Sequence, residues 1–138
     1  MTVRTGGCAC GAVRYEAKGV GPGFGACHCE TCRKWVGGPF VALQVEGLTV
    51  TQGEDRLHVW RSSEWGERVG CSACGGGLFF KVLTTGEANV TLGTLDDPSG
   101  LELAMEIFVD AKPAAYGFLS ERSQKLTGAE FFKTIGVA

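Results

Sequence analysis

The stretch ACHCETCRKW, residues 26–35, places Cys27, His28, Cys29 and Cys32 within six positions. Side chains this reactive need a common partner to sit so close together. Reading outward, Cys8 and Cys10 form a C-x-C pair, and Cys71 and Cys74 form C-x-x-C followed by Gly75, Gly76 and Gly77. That makes seven cysteines with none isolated. An odd number cannot all pair as disulfides within one chain, and structural disulfides are rare in a reducing compartment. Metal ligation fits better. A C-x-x-C knuckle presents two thiolates to one cation at about 2.3 Å, and a glycine just after it tolerates the positive φ that closes the turn.

Counting the thiolates divides them. Structural zinc takes four protein ligands, whereas catalytic zinc takes three and keeps a position for substrate or water. Seven is four plus three. Cys27, Cys29 and Cys32 can chelate one ion locally, leaving Cys8, Cys10, Cys71 and Cys74 to close a second site that staples the N-terminal region to mid-chain. A plainer alternative metallates only the tetrad and leaves the weaker three-thiolate site empty in the isolated protein.

The chain of 138 residues, 44% hydrophobic, is long enough for one core and too short for two independent ones, so residues 1–138 are read as a single domain. With 13 basic against 15 acidic residues the net charge is −2, which supplies no basic face for nucleic acid and no attraction to an acidic membrane. No stretch approaches the roughly 20 apolar residues that a bilayer requires. The opening MTVRTGGCACGAV has no charged segment leading into an apolar one, so a cytoplasmic location is expected.

Period-two alternation recurs in short runs, which predicts a mainly β fold of antiparallel sheets. AVRYEAK sets Val13, Tyr15 and Ala17 against Arg14, Glu16 and Lys18. PFVALQV and LTVTQG meet at Glu46-Gly47, and RLHVWRS follows Gly53. GLFFKVL, ANVTLGTL and LAMEIFV are parted by Thr85-Gly86 and by Asp97-Pro98-Ser99-Gly100, both suited to turns. One helix is signalled, at the C-terminal end: Thr127 and Glu130 make a capping box ahead of FFKTIG, with Gly136 as the stop.

The order C-x-C, C-H-C-x-x-C-R-K, C-x-x-C-G, VTLGTLDDP and EIFVDAKP, running from Cys8 to Pro113, resembles the glutathione-dependent formaldehyde-activating enzymes. That family includes the centromere protein V domain, has the Mss4-like β fold and belongs to the carbon–sulfur lyases. The resemblance implies a structural zinc on Cys8, Cys10, Cys71 and Cys74, and a catalytic zinc on Cys27, Cys29 and Cys32. It also implies addition of a thiol such as glutathione to formaldehyde. Three thiolate ligands soften zinc as a Lewis acid, which favours holding the incoming thiol over polarising the carbonyl.

Around the triplet, His28 lies between two ligands, so its ring is expected to point away from the metal and to fix the loop by a hydrogen bond, with a proton shuttle near pH 7 as the alternative. Arg33 and Lys34 are candidates to meet a carboxylate of a glutathione-like thiol, with a solvated basic turn as the alternative. Trp35, Trp60 and Trp65 are expected in the core or at its rim, one of them walling the pocket. Two positions depart from the family pattern: Glu106 stands where histidine is common, and no tryptophan is found near Ala115. Both lie beyond the zinc motifs and bear on the substrate pocket. The competing readings are a zinc-stabilised protein-interaction module without catalysis and a thiol redox protein using Cys27 to Cys32. Small-molecule thiol and aldehyde partners are expected, without nucleic acid or membrane; oligomeric state is left open.

Overall fold

A computed structural model of the chain describes residues 2–137. Eleven strands and two helices follow in the order β1 (Thr2–Gly7), β2 (Arg14–Val20), β3 (Gly23–Cys27), α1 (Glu30–Val36), β4 (Phe40–Val45), β5 (Gly47–Gln52), β6 (Leu57–Arg61), β7 (Gly66–Cys71), β8 (Gly77–Val82), β9 (Ala88–Thr91), β10 (Glu102–Ile107), β11 (Gln124–Leu126) and α2 (Gly128–Ile135). They build a three-stranded sheet, β1-β2-β5, and an eight-stranded sheet, β11-β10-β3-β4-β9-β8-β7-β6. The protein is mainly β, as the alternation predicts. No helix among the described residues is long and apolar enough to cross a membrane.

The two sheets enclose the larger core. From β2 and the turn before it come Val13, Tyr15 and Ala17, which face Leu43, Val45, Phe79 and Val90 of the eight-stranded sheet. The opposite faces of β4 and β8 are also covered: Phe40, Ala42, Phe80 and Val82 form a second cluster with Ile135. This explains why PFVALQV and GLFFKVL are apolar on both faces.

The turns at Thr85-Gly86 and Asp97–Gly100 form as expected. Gly86 takes φ 77° between β8 and β9, and Asp97 Oδ1 accepts a hydrogen bond from Ser99 N at 3.0 Å. Glu46-Gly47 is a corner between sheets, not a hairpin: Glu46 N donates to Lys18 O, continuing the pairing of β5 with β2. Pairing is antiparallel except at one edge, where β10 runs parallel to both β3 and β11. That arrangement sets Ile107 beside Cys27 and Leu126 beside Ile107.

The capping box at α2 is complete, with Glu130 N donating to Thr127 Oγ1 and Thr127 N donating to Glu130 Oε1, and Gly136 ends the helix in the left-handed region. An eight-residue helix is well short of the roughly 12–15 residues needed for stability alone. Packing holds it: Phe131 and Phe132 meet Trp65 and Phe108, and Ile135 is buried. A second helix, α1, is absent from the sequence-based expectation and lies within the opening motif. Its N-cap is Cys29, whose sulfur accepts from Cys32 N at 3.3 Å. Cysteine is outside the usual Ser, Thr, Asp and Asn caps, so the start signal is hidden. Gly37, at φ 85°, closes the helix.

Candidate metal centres

The tetrad joins the two sheets. Cys8 and Cys10 follow β1 of the three-stranded sheet, while Cys71 ends β7 of the eight-stranded one and Cys74 lies in the turn beyond. All four sulfurs lie within 4.8 Å of one another, with Cys8 and Cys10 at 3.6 Å and Cys10 and Cys71 at 3.8 Å. Ligands at 2.3 Å on a tetrahedral ion stand about 3.8 Å apart, so the set fits zinc, whereas a disulfide needs about 2.05 Å. The knuckle is shaped by Gly75, at φ 76°, whose N donates to Cys71 O at 2.8 Å. Backbone N–H groups reach two of the sulfurs: Val13 N donates to Cys8 Sγ and Ala73 N to Cys71 Sγ. Hydrogen bonds from the backbone at Gly76 and Cys10 lower the Cys74 thiol to about 6.

The triplet forms where β3 passes into α1. Cys27 is the last residue of β3, Cys29 caps the helix and Cys32 is buried one turn later. Their sulfurs also lie within 4.8 Å of one another. Close packing divides the protons unevenly: Cys29 is drawn down by hydrogen bonds from Cys27 and Cys32, while the same sharing pushes Cys27 well above its ordinary value. A cation at the centre would allow all three to ionise together.

Arg68, on β7, completes this site, and the sequence-based reading misses it. It is 4% exposed, held between the rings of Trp35 and Phe80 at 5.1 and 4.9 Å. Its Nε donates to Ser62 Oγ at 3.0 Å and its Nη1 to Cys32 Sγ at 3.3 Å. All three cysteines and Arg68 line one cavity of about 500 Å³, which runs between the eight-stranded sheet and α2. Trp65 is the tryptophan that walls it, Trp35 stacks on Arg68, and Trp60 is exposed on β6. Arg33 and Lys34 do not line it: Arg33 Nε donates to the His28 carbonyl at 3.1 Å, and Lys34 pairs with Glu30 at 2.8 Å in solvent.

Comparison with known proteins follows the cysteine geometry. The family model for the glutathione-dependent formaldehyde-activating enzyme matches residues 3–111, a span that contains both clusters. The chain belongs to this family. An uncharacterised lyase of Schizosaccharomyces pombe is 29% identical over 132 residues, covering 94% of this chain and 95% of that one. A Halomonas elongata protein, provisionally named a glutathione-dependent formaldehyde-activating enzyme, is 32% identical over 83 residues, covering 54% and 53% of the two chains. In fold, a crystal structure of a Rhodobacter sphaeroides protein superposes with a TM-score of 0.59 at 23% identity, covering 67% of this chain and 87% of that one.

In this family member the residue at 106 has a defined task. His28 is fully buried, and its Nε2 lies 2.8 Å from Glu106 Oε1. A carboxylate can only accept, so Nε2 is the donor, while Nδ1 is hydrogen-bonded to the Tyr116 hydroxyl at 2.9 Å. The other Glu106 oxygen accepts from Ser123 Oγ at 3.2 Å and faces Lys125 Nζ at 3.3 Å. The ring therefore turns into the protein and ties the triplet loop to β10, β11 and the segment between them, with His28 N also donating to Ile107 O. Tyr116, Ser123 and Lys125 lie beyond the matched span.

Burial works to raise the Glu106 carboxyl, but hydrogen bonds from His28, Lys125 and Ser123 outweigh it and hold the group below its ordinary range. A depressed folded value means the contribution is complete above about pH 4.3 and is lost as pH falls through the folded value, because the unfolded chain takes the proton first. Glu106→Gln should lower neutral-pH stability by about 2 kcal/mol and flatten the acid limb of the stability profile. Thermal melts between pH 3 and 7 test this, and an acid limb as steep as that of the wild type would refute it.

Proposed function

We propose that the chain is a zinc-dependent carbon–sulfur lyase-type enzyme, of the kind that adds a small thiol such as glutathione to formaldehyde. The observation that carries this reading is that the three-cysteine set lines a cavity and leaves a fourth coordination position for a ligand, whereas the other set offers four sulfurs. On this reading Cys27, Cys29 and Cys32 hold the catalytic zinc, and Cys8, Cys10, Cys71 and Cys74 hold a structural one. Zinc bound at the triplet would supply the Lewis acidity that keeps an incoming thiol deprotonated at neutral pH.

The chain's own residues do the rest. Three thiolates against a divalent ion leave one negative charge, and the Arg68 guanidinium at Cys32 Sγ compensates it in a buried setting. Phe80, Trp65 and Phe131 wall the cavity and limit water, which strengthens each of these electrostatic interactions. The His28–Glu106–Tyr116 network fixes the loop that carries Cys27 and Cys29. The reaction balances without an oxidant: a sulfur–carbon bond forms, the carbonyl π bond opens, and the thiol proton ends on the aldehyde oxygen.

Cys29→Ser tests the assignment cleanly, because serine is a preferred N-cap and preserves α1. The variant should lose small-thiol binding by calorimetry and thiol–aldehyde addition, while its Tm moves by no more than about 4 °C. Absence of thiol binding to fully metallated wild-type protein would sink the reading. An interaction module would behave in that way.

A further inference from the structure

We infer that Arg68, on the reading just given, also holds the aldehyde: its Nη2 donates to the carbonyl oxygen and to the oxyanion that this oxygen becomes as sulfur adds to carbon. The guanidinium is fixed in place by the protein alone. It is 4% exposed and stacked between the rings of Trp35 and Phe80, whose centroids lie 5.1 and 4.9 Å away. Its Nε donates to Ser62 Oγ at 3.0 Å and its Nη1 to Cys32 Sγ at 3.3 Å. The glycine run after Cys74 makes room for this stack, since a Cβ at Gly77 would stand 3.1 Å from the Trp35 ring.

Two of the three guanidinium nitrogens are thus committed, and the third is not. Among the described residues no protein atom accepts a hydrogen bond from Nη2. No side-chain nitrogen or oxygen among these residues is both sealed from solvent and unpaired. Nη2 therefore meets open space, and the space that Arg68 lines is the cavity it shares with Cys27, Cys29 and Cys32. No other lysine or arginine among the described residues lines that cavity.

The position of this donor decides what it holds. Nη1 and Nη2 share one carbon, so a group on Nη2 lies beside Cys32 Sγ, next to the place a fourth sulfur would take. An aldehyde whose carbon is about 3–3.5 Å from that sulfur has its oxygen in the same neighbourhood. During addition a sulfur–carbon bond forms, the carbonyl π bond breaks, and negative charge passes from sulfur to oxygen. One guanidinium faces both ends of that transfer, with Nη1 on the sulfur side and Nη2 on the oxygen side. It stabilises charge and does not supply the proton, because arginine stays protonated; the proton lost by the thiol returns to the oxygen from water. A donor already held in an apolar, half-enclosed site needs no reorganisation as the charge develops.

The test uses the full chain with zinc at both cysteine clusters, kept loaded by excess metal, counted by elemental analysis and saturated with glutathione or cysteine. Formate, an oxyanion with one carbon like formaldehyde, is titrated in by calorimetry. It should bind, and in exchange spectroscopy on labelled formaldehyde it should compete with the aldehyde while leaving thiol affinity unchanged. Arg68→Lys keeps the charge but cannot serve Cys32 Sγ and an oxygen together. Loaded in the same way, it should bind formate at least tenfold more weakly. Its kcat should fall about 100- to 1,000-fold, the range for loss of one oxyanion donor, while its thiol affinity stays within threefold of wild type. Formate that fails to bind the wild type or competes with the thiol, or an Arg68→Lys protein with wild-type formate affinity or kcat, overturns the role of Nη2 and leaves the proposed reaction standing. Failure of both glutathione and cysteine to bind the loaded wild type overturns both.

Discussion

Cys74→Ser should leave the protein insoluble or unfolded, even though Cys74 is exposed at the surface. Exposed substitutions away from special features ordinarily change stability by no more than about 0.5 kcal/mol. The proposed ligation makes this one different. The tetrad draws its ligands from both sheets and closes a loop in which Cys10 and Cys71 are 61 residues apart. Binding free energy at a closed structural zinc site is of order 10–16 kcal/mol at neutral pH, as large as the whole stability of a typical domain, about 5–15 kcal/mol. Losing a modest share of it takes the fold past its midpoint. Ser72→Ala, an exposed change two residues away, is the control and should melt like the wild type. Soluble yield and thermal melting read both variants; a Cys74→Ser protein melting within about 2 °C of wild type would overturn the structural assignment of the tetrad.

Arg68→Met should weaken metal binding at the triplet by about 10- to 100-fold without touching the tetrad. Methionine fills much of the space between Trp35 and Phe80, so packing is largely kept while the charge facing Cys32 Sγ is removed. Under a mild chelator that leaves two ions on the wild type, the variant should retain one and stay folded. Arg68→Lys should recover part of the loss, since it restores the charge but cannot donate to Ser62 Oγ and Cys32 Sγ as one planar fork. Elemental analysis after dialysis gives the count. Two ions retained by Arg68→Met would show that the guanidinium has no part in the site.

The cysteine clusters and most strands are legible in the chain because their signals are local. C-x-x-C followed by glycine encodes its own turn, and VRYEAK declares its buried face by alternation. Residues whose meaning depends on distant partners are not legible in this way. Arg68 reads as an ordinary charge in a strand until β7 brings it beneath Trp35 from the opening motif. Glu106 stands out only as an acid inside the apolar run LAMEIFV; its partners at 28, 123 and 125 come from three other segments. Parallel pairing of β10 with β3 joins strands some eighty residues apart in sequence, and no periodicity announces it. Helix α1 was hidden for a different reason, since its cap is a cysteine and the motif reads as chelation before it reads as secondary structure.

The roof of the cavity has a consequence for how such proteins diversify. Phe131, Thr134 and Ile135 come from α2, and Tyr116, Ser123 and Lys125 brace the triplet loop from the segment before it. All six lie after residue 111, where the family match ends, while all seven cysteines lie before it. Part of the cavity wall and the brace of the triplet loop are thus written after the metal ligands in the chain. Drift or exchange in residues 112–137 can change which molecules enter while the metal ligands stay as they are, so two relatives with the same cysteine spacing need not share a substrate.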